Sequence, residues 1–128
     1  MSMIALETLE LAPRIWAIRL QGELDASNLG QLKAAFDGIF SKKAYRIVIN
    51  LAAIRYLSSS AIGVIIGGFT TAVKNGGRIV LATTPSQVLE VLRLIGLGSV
   101  LNFAADEKEA LQKLEKLPDP TENGRKPQ

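Results

Sequence analysis

The clearest pattern along the chain is a set of short runs that are apolar at nearly every position. Between them lie segments that are apolar every third or fourth residue. Arg46–Leu51 is the clearest run, β-branched and apolar on both faces, as a central parallel strand is. Arg78–Ala82 and Ile15–Leu20 read the same way. Ile4–Leu11 mixes apolar and polar residues and reads as a first strand that Pro13 breaks. Gly22 is expected to end the second strand.

Helical spacing fills the gaps. Leu29, Leu32, Phe36 and Ile39 or Phe40 predict a helix that ends near Ser41, with Ser27 as its expected cap. Ala52–Leu57 reads as a loop, and Ser58-Ser59-Ser60 opens a helix over Ala61–Lys74. Gly63, Gly67 and Gly68 cost that helix propensity, and close approach to the sheet is the expected return. Asn75-Gly76-Gly77 stops it. Pro85 and a capping Ser86 introduce a stripe of Val88, Leu89, Leu92 and Ile95, closed by Gly96. Val100–Phe103 reads as a short last strand. Asp106 and Glu109 resemble a capping box before Ala110, Leu111, Leu114 and Leu117. Two strands followed by alternating helix and strand predict an α/β domain, a mixed sheet with helices packed on it. Residues 1–117 form that domain. Residues 118–128, with three prolines and no periodicity, read as a disordered tail.

Composition narrows the chemistry. The chain has 128 residues, 48% of them hydrophobic, enough for one real core. It has no cysteine and no histidine. That removes disulfides, thiolate metal sites, a cysteine nucleophile, a Ser-His-Asp triad and a typical zinc site together. The expectation is a binding protein rather than an enzyme, with no metal and no cofactor. The net charge is +3 and the pI about 9.4. Lys42, Lys43 and Arg46 cluster, Arg125 and Lys126 sit in the tail, and the other bases are scattered among acids. With aromatics at 5%, a solvated surface is preferred to nucleic-acid binding. Met1–Pro13 carries Glu7 and Glu10 and no basic start, so it is not read as a secretory signal. Ala61–Val73 is too short to span a bilayer. A cytoplasmic location is expected.

The glycine clusters fail as phosphate loops. Gly96-Leu97-Gly98 lacks a third glycine and follows a helix, and no Gly-Lys-Ser/Thr follows Gly67-Gly68. Glu23 and Asp25, at a strand end, read as helix initiators or as an exposed binding loop. Ser58-Ser59-Ser60 carries more information. One serine suffices for an N-cap, and here there are three. A phosphate at this point meets unpaired backbone amides and the positive end of the helix dipole, and adds nearly two negative charges. Cap and switch both stand open on the residues alone.

Gly22-Glu23-Leu24-Asp25 after an apolar strand resembles a motif of the STAS domain, the family of anti-sigma factor antagonists and of the tails of sulfate transporters. Ile47–Leu51 through Ser59-Ser60-Ala61-Ile62-Gly63-Val64-Ile65 resembles the family's phosphorylation region. Gly76-Gly77 before Arg78–Leu81, and the turn at Pro85, fit as well. The resemblance runs from about Ile4 to Leu117. It implies a four- to five-stranded mixed sheet flanked by helices, and it implies partner switching. In that scheme the unphosphorylated domain binds an anti-sigma factor that is also a serine kinase, phosphorylation releases it, and a serine phosphatase reverses the change. The domain is expected to be monomeric alone.

In the family the acceptor serine follows an aspartate and precedes Ser or Thr and then Gly-Leu-Gly. Here Ser58 stands at the aspartate position, Ser59 at the acceptor, and Ser60 follows. Ala61 replaces the first glycine, Ile62 the leucine, and Gly63 keeps the second glycine. The resemblance thus assigns phosphorylation to Ser59, with Ser60 and Ser58 as alternatives. It assigns partner contact to Asp25, Ser58, Ser59, Ser60, Ala61 and Ile62. An unswitched STAS subunit of a larger complex, such as a lipid-transport ATPase, is the alternative function. A small-ligand or nucleotide-binding domain is the third.

Overall fold

The computed structural model describes residues 3–94, 96 and 102–118. Ile4–Ala12 (β1) turns at Pro13-Arg14 and pairs antiparallel with Ile15–Leu24 (β2), with Ile4 opposite Gly22 and Thr8 opposite Ile18. Three parallel strands follow: Arg46–Leu57 (β3), Arg78–Ala82 (β4) and Asn102–Ala104 (β5). They make one five-stranded sheet in the order β1-β2-β3-β4-β5. Leu29–Ser41 (α1), Ser59–Lys74 (α2) and Ser86–Leu94 (α3) connect the parallel strands, and Glu107–Glu115 (α4) follows β5. This is the mixed, helix-flanked sheet that the apolar pattern predicts.

Alternation within each strand builds two cores. Ile47, Ile49 and Leu51 with Ile79 and Leu81 join Leu32, Phe36 and Ile39 of α1, Ile62, Ile65 and Phe69 of α2, and Val88 and Leu92 of α3. Val48, Val80 and Ala82 point the other way, onto Ala110 and Leu114 of α4. Burial on both faces is what makes the strands read as unbroken apolar runs. Arg46 is buried at the base of β3, where Nη1 donates to the Leu117 carbonyl and Nη2 to that of Pro13, each at 3.2 Å. Asp106 caps α4 as expected, its carboxylate accepting from the Glu109 amide at 2.8 Å. Gly96 takes φ +81°, the left-handed conformation of a helix-closing glycine.

Several expectations need correction. β2 does not end at Gly22 but runs to Leu24, and residues 52–57 are not a loop but the second half of β3. The two extensions pair with each other, Gln21 with Ala53 and Leu24 with Leu57, across two register shifts. Such bulges break strict alternation, so no period-two signal marks them. Gly22 sits at the second shift with φ +109°, and a Cβ there would lie 2.3 Å from the Met3 carbonyl oxygen. Ser27 is not the cap of α1. Asn28 holds that position and makes no side-chain cap bond. Ser86 is the first residue of α3 rather than the residue before it. The α2 glycines do not bring the helix onto the sheet. Gly68 packs against the Phe36 ring of α1, and Cβ atoms at Gly63 and Gly67 would meet open space. The last strand is Asn102–Ala104. Ile95, the expected strand residues Val100 and Leu101, and tail residues 119–128 lie outside the described residues.

Candidate functional site

Parallel strands with returning helices place every strand C-terminus and every following helix N-terminus at one edge, where α/β sheets ordinarily hold their sites. Two of those junctions are tied together here. The amide of Ser58, just past β3, donates to the Leu24 carbonyl at the end of β2, 3.0 Å away. The serine run and Asp25 are therefore neighbours in space.

Around Asp25 the chain forms a closed polar turn. Its Oδ1 accepts from the Ser27 amide at 2.9 Å and from the Ser27 hydroxyl at 2.6 Å. Its own amide donates to Asn28 Oδ1 at 3.0 Å, and Asn28 Nδ2 donates to the Glu23 carbonyl at 2.9 Å. Asp25 thus holds the turn that leads into α1. It does not sit in the first turn of that helix, which contains no acidic residue.

The three serines have different environments. Ser58 is the N-cap of α2, with extended backbone (φ −74°, ψ 165°), and its Oγ accepts from the Ala61 amide at 3.1 Å. Ser60 Oγ lies 3.2 Å from Ser58 Oγ. Ser59 is exposed, and among the described residues its hydroxyl has no hydrogen-bond partner. It stands on the first residue of α2, at the positive end of that helix's dipole, and no carboxylate occupies the first turn. Ala61 and Ile62, also assigned to the partner surface, are 0% and 5% exposed. Their side chains point into the core because they fall on the same face of α2 as Ile65, Phe69 and Ala72. A partner could reach only their backbone.

Two further residues belong to this edge. Tyr56 pairs with Glu23 across the bulged ribbon and is 54% exposed, and Arg55 Nε lies 4.0 Å from Glu23 Oε2. Sequence reasoning missed both because it placed them in a loop. The usable signal was a lone aromatic two residues before the serine run.

A different polar cluster lies on the α4 face. Arg19 of β2 donates through Nε and Nη2 to the two Glu107 oxygens, both at 2.8 Å, and through Nη1 to Glu7 at 3.2 Å. Asn50 of β3 donates to Glu107 Oε2 at 2.8 Å. The Arg19 guanidinium, aided by Asn50, holds the Glu107 carboxyl below the ordinary glutamate range despite partial burial. These groups satisfy one another, and the cluster fastens α4 to the sheet.

A family model of the STAS domain matches residues 8–110. The chain belongs to the STAS domain family. It is 28% identical over 99 residues to an anti-sigma F factor antagonist of Paenibacillus polymyxa, covering 77% of this chain and 85% of that protein. Its fold is similar to that of the anti-sigma factor antagonist SpoIIAA in its unphosphorylated form, with TM-score 0.76, 24% identity, and coverage of 89% of this chain and 99% of that one. The phosphorylated form of SpoIIAA from Bacillus gives TM-score 0.71 and 25% identity over 85% of this chain and 98% of that one. The bulged ribbon, the Asp25 turn and the capped start of α2 lie within the residues that the family model matches. Among the described residues, no helix is long and apolar enough to cross a membrane.

Proposed function

We propose that this STAS domain is an anti-sigma factor antagonist that works by partner switching. The unmodified chain binds an anti-sigma factor that is also a serine kinase, in the cytoplasm, and the site is the edge formed by Asp25 and Ser58–Ser60. Phosphorylation of Ser59 ends the complex, and a serine phosphatase restores it. The observation that carries this reading is the exposed Ser59 hydroxyl, uncommitted at the start of α2 while Ser58 supplies the cap and Ser60 leans on Ser58.

Charge explains the switch. A phosphate on Ser59 is favourable within the domain, by roughly 0.3–1 kcal/mol through the helix dipole. At an interface shaped for a neutral hydroxyl it costs several kcal/mol through repulsion and desolvation. The modification therefore changes the partner and leaves the fold in place. Replacement of the family's aspartate by Ser58 does not uncap the helix, since the serine hydroxyl makes that bond itself.

Affinity capture from native cells, with mass spectrometry of the partners and of the phosphosites, tests the reading. Wild type and Ser59→Ala should retain a kinase-type anti-sigma factor, Ser59→Asp should lose it, and phosphate should map to Ser59. Full retention by Ser59→Asp, with no phosphate on any of the three serines, would instead identify an unswitched STAS subunit.

A further inference from the structure

Bases that are scattered along the sequence converge in the fold. The starts of β2, β3 and β4, the β1–β2 turn and the ends of α1, α2 and α4 lie at the end of the sheet opposite Ser59. Ile15 pairs with Arg46, and Arg46 with Arg78, which sets Arg14, Arg46 and Arg78 at three neighbouring strand starts. Lys42 and Lys43 follow α1, and Lys74 closes α2. Lys116 follows α4, whose end the Arg46–Leu117 hydrogen bond brings to the same place. Arg46 is buried, whereas Arg14, Lys42, Lys43, Lys74, Arg78 and Lys116 are exposed or half-exposed. Among the described residues, the carboxylates Glu10 and Glu115 share this end. Among the described residues, the seven bases here outnumber the two carboxylates, a surplus larger than the +3 of the whole chain.

Helix dipoles account for part of this, because cations favour helix C-termini. They account for the charge of Lys43, just past α1, but not for Arg14 in the β1–β2 turn, nor for the backbone conformation that the two share. Both residues have φ of 58°, a left-handed conformation that glycine or asparagine ordinarily occupies. Each turn carries a long cation there despite the backbone strain, which points to a use for the side chain.

The surroundings favour one kind of anion. The cations come from five separate turns and element ends, with no single helix or ribbon to enter a duplex groove. Half-buried Trp16 is covered by Lys42, whose Nζ lies 5.2 Å from the ring, and half-buried Tyr45 stacks on Phe40 at 5.7 Å. Neither is an open platform for bases, while both are residue types that suit a boundary between water and lipid. We propose that this end docks on anionic phospholipid headgroups and holds the domain on a membrane surface. The twelve residues of β3 span roughly 40 Å, so the Ser59 edge faces away from that surface.

Co-sedimentation of the full chain with phosphatidylserine-containing vesicles and with pure phosphatidylcholine vesicles tests this. Binding should require phosphatidylserine and should vanish in about 1 M salt, where the Debye length is about 3 Å. The double variant Arg14→Gly/Lys43→Gly removes two cations and supplies the residue that each backbone prefers. Its partition should fall roughly 25-fold, about fivefold per cation, in a chain that circular dichroism shows to be folded. The proposal is independent of the switch, so Ser59→Asp should bind vesicles like wild type. Equal binding to phosphatidylcholine, or wild-type binding by the double variant, would overturn it. Tighter binding of a short DNA duplex that displaces the chain from vesicles would reassign the surface to nucleic acid.

Discussion

The hydrogen bond from the Ser58 amide to the Leu24 carbonyl, 3.0 Å long, couples the turn that holds Asp25 to the helix start that holds Ser59. It forms because β2 and β3 both run past their expected ends and stay paired through two bulges. The candidate site is therefore one unit, built on the rim of a sheet rather than on two independent loops.

Asp25 holds its turn, and the partner contact proposed for it can be tested separately. Asp25→Ala removes the acceptor for the Ser27 amide and hydroxyl, and should cost about 1 kcal/mol of stability and weaken partner binding. Asp25→Asn keeps one acceptor oxygen and removes the charge. Its Tm should stay near wild type while its affinity for a basic partner surface falls. Undiminished affinity in the Asn variant would confine Asp25 to holding the turn.

The three serines should rank by structure when each is changed to alanine. Ser58→Ala loses the cap and should cost about 1 kcal/mol, a Tm drop of roughly 3–5 °C. Ser60→Ala loses one contact with Ser58 and should stay within about 0.5 kcal/mol. Ser59→Ala should be neutral. Thermal denaturation settles the order, and a Ser59→Ala loss equal to that of Ser58→Ala would mean its hydroxyl serves the fold.

The alternating α/β order was legible because Ile47–Leu51, Asn50 apart, and Ile79–Ala82 are buried on both faces and so carry nearly continuous apolar runs. The rim was not. Ala52, Ala53, Arg55 and Tyr56 are exposed, and they belong to β3 only because Gln21–Leu24 offer a pairing edge, which is information held elsewhere in the chain. The serine run was legible as a helix start. Its contact with Leu24 is a product of parallel pairing and leaves no local trace. Burial of Ala61 and Ile62 was readable in principle, since Ala61, Ile65, Phe69 and Ala72 recur at helical spacing. A motif match identifies positions without saying which way they face.

Glycine substitutions should separate structural glycines from permissive ones. Gly22→Ala forces a side chain onto φ +109° and drives its Cβ toward the Met3 carbonyl, which also accepts from the Glu23 amide at 2.8 Å. The expected cost is about 2–4 kcal/mol, with early hydrogen exchange at the start of β1. Gly63→Ala adds a methyl to open space in a helix interior and should stabilise by up to about 1 kcal/mol. Urea denaturation checks both. A neutral Gly22→Ala would mean the bulge relaxes without the first strand.

The clamp between Arg19 and Glu107 should appear as a pH dependence. Glu107 has a lower pKa folded than its ordinary value of 4.5, chiefly because Arg19 hydrogen-bonds its carboxylate, so the folded state binds this proton less readily than the unfolded chain. A depressed carboxyl contributes stability that is fully present above the unfolded pKa and disappears as pH falls through the folded one. Wild-type Tm should therefore be insensitive to this group from neutrality down to about pH 5, then decline as the carboxylate protonates. Glu107→Gln keeps an acceptor for Asn50 but breaks the paired contact with Arg19, which anchors α4 over Ala17, Val48 and Val80. That variant should melt lower than wild type at pH 7, and the two Tm curves should converge in acid as wild type loses the same charge. A gap that stays constant across the acid range would show that Glu107 acts by shape, and that ionisation is not what fastens α4.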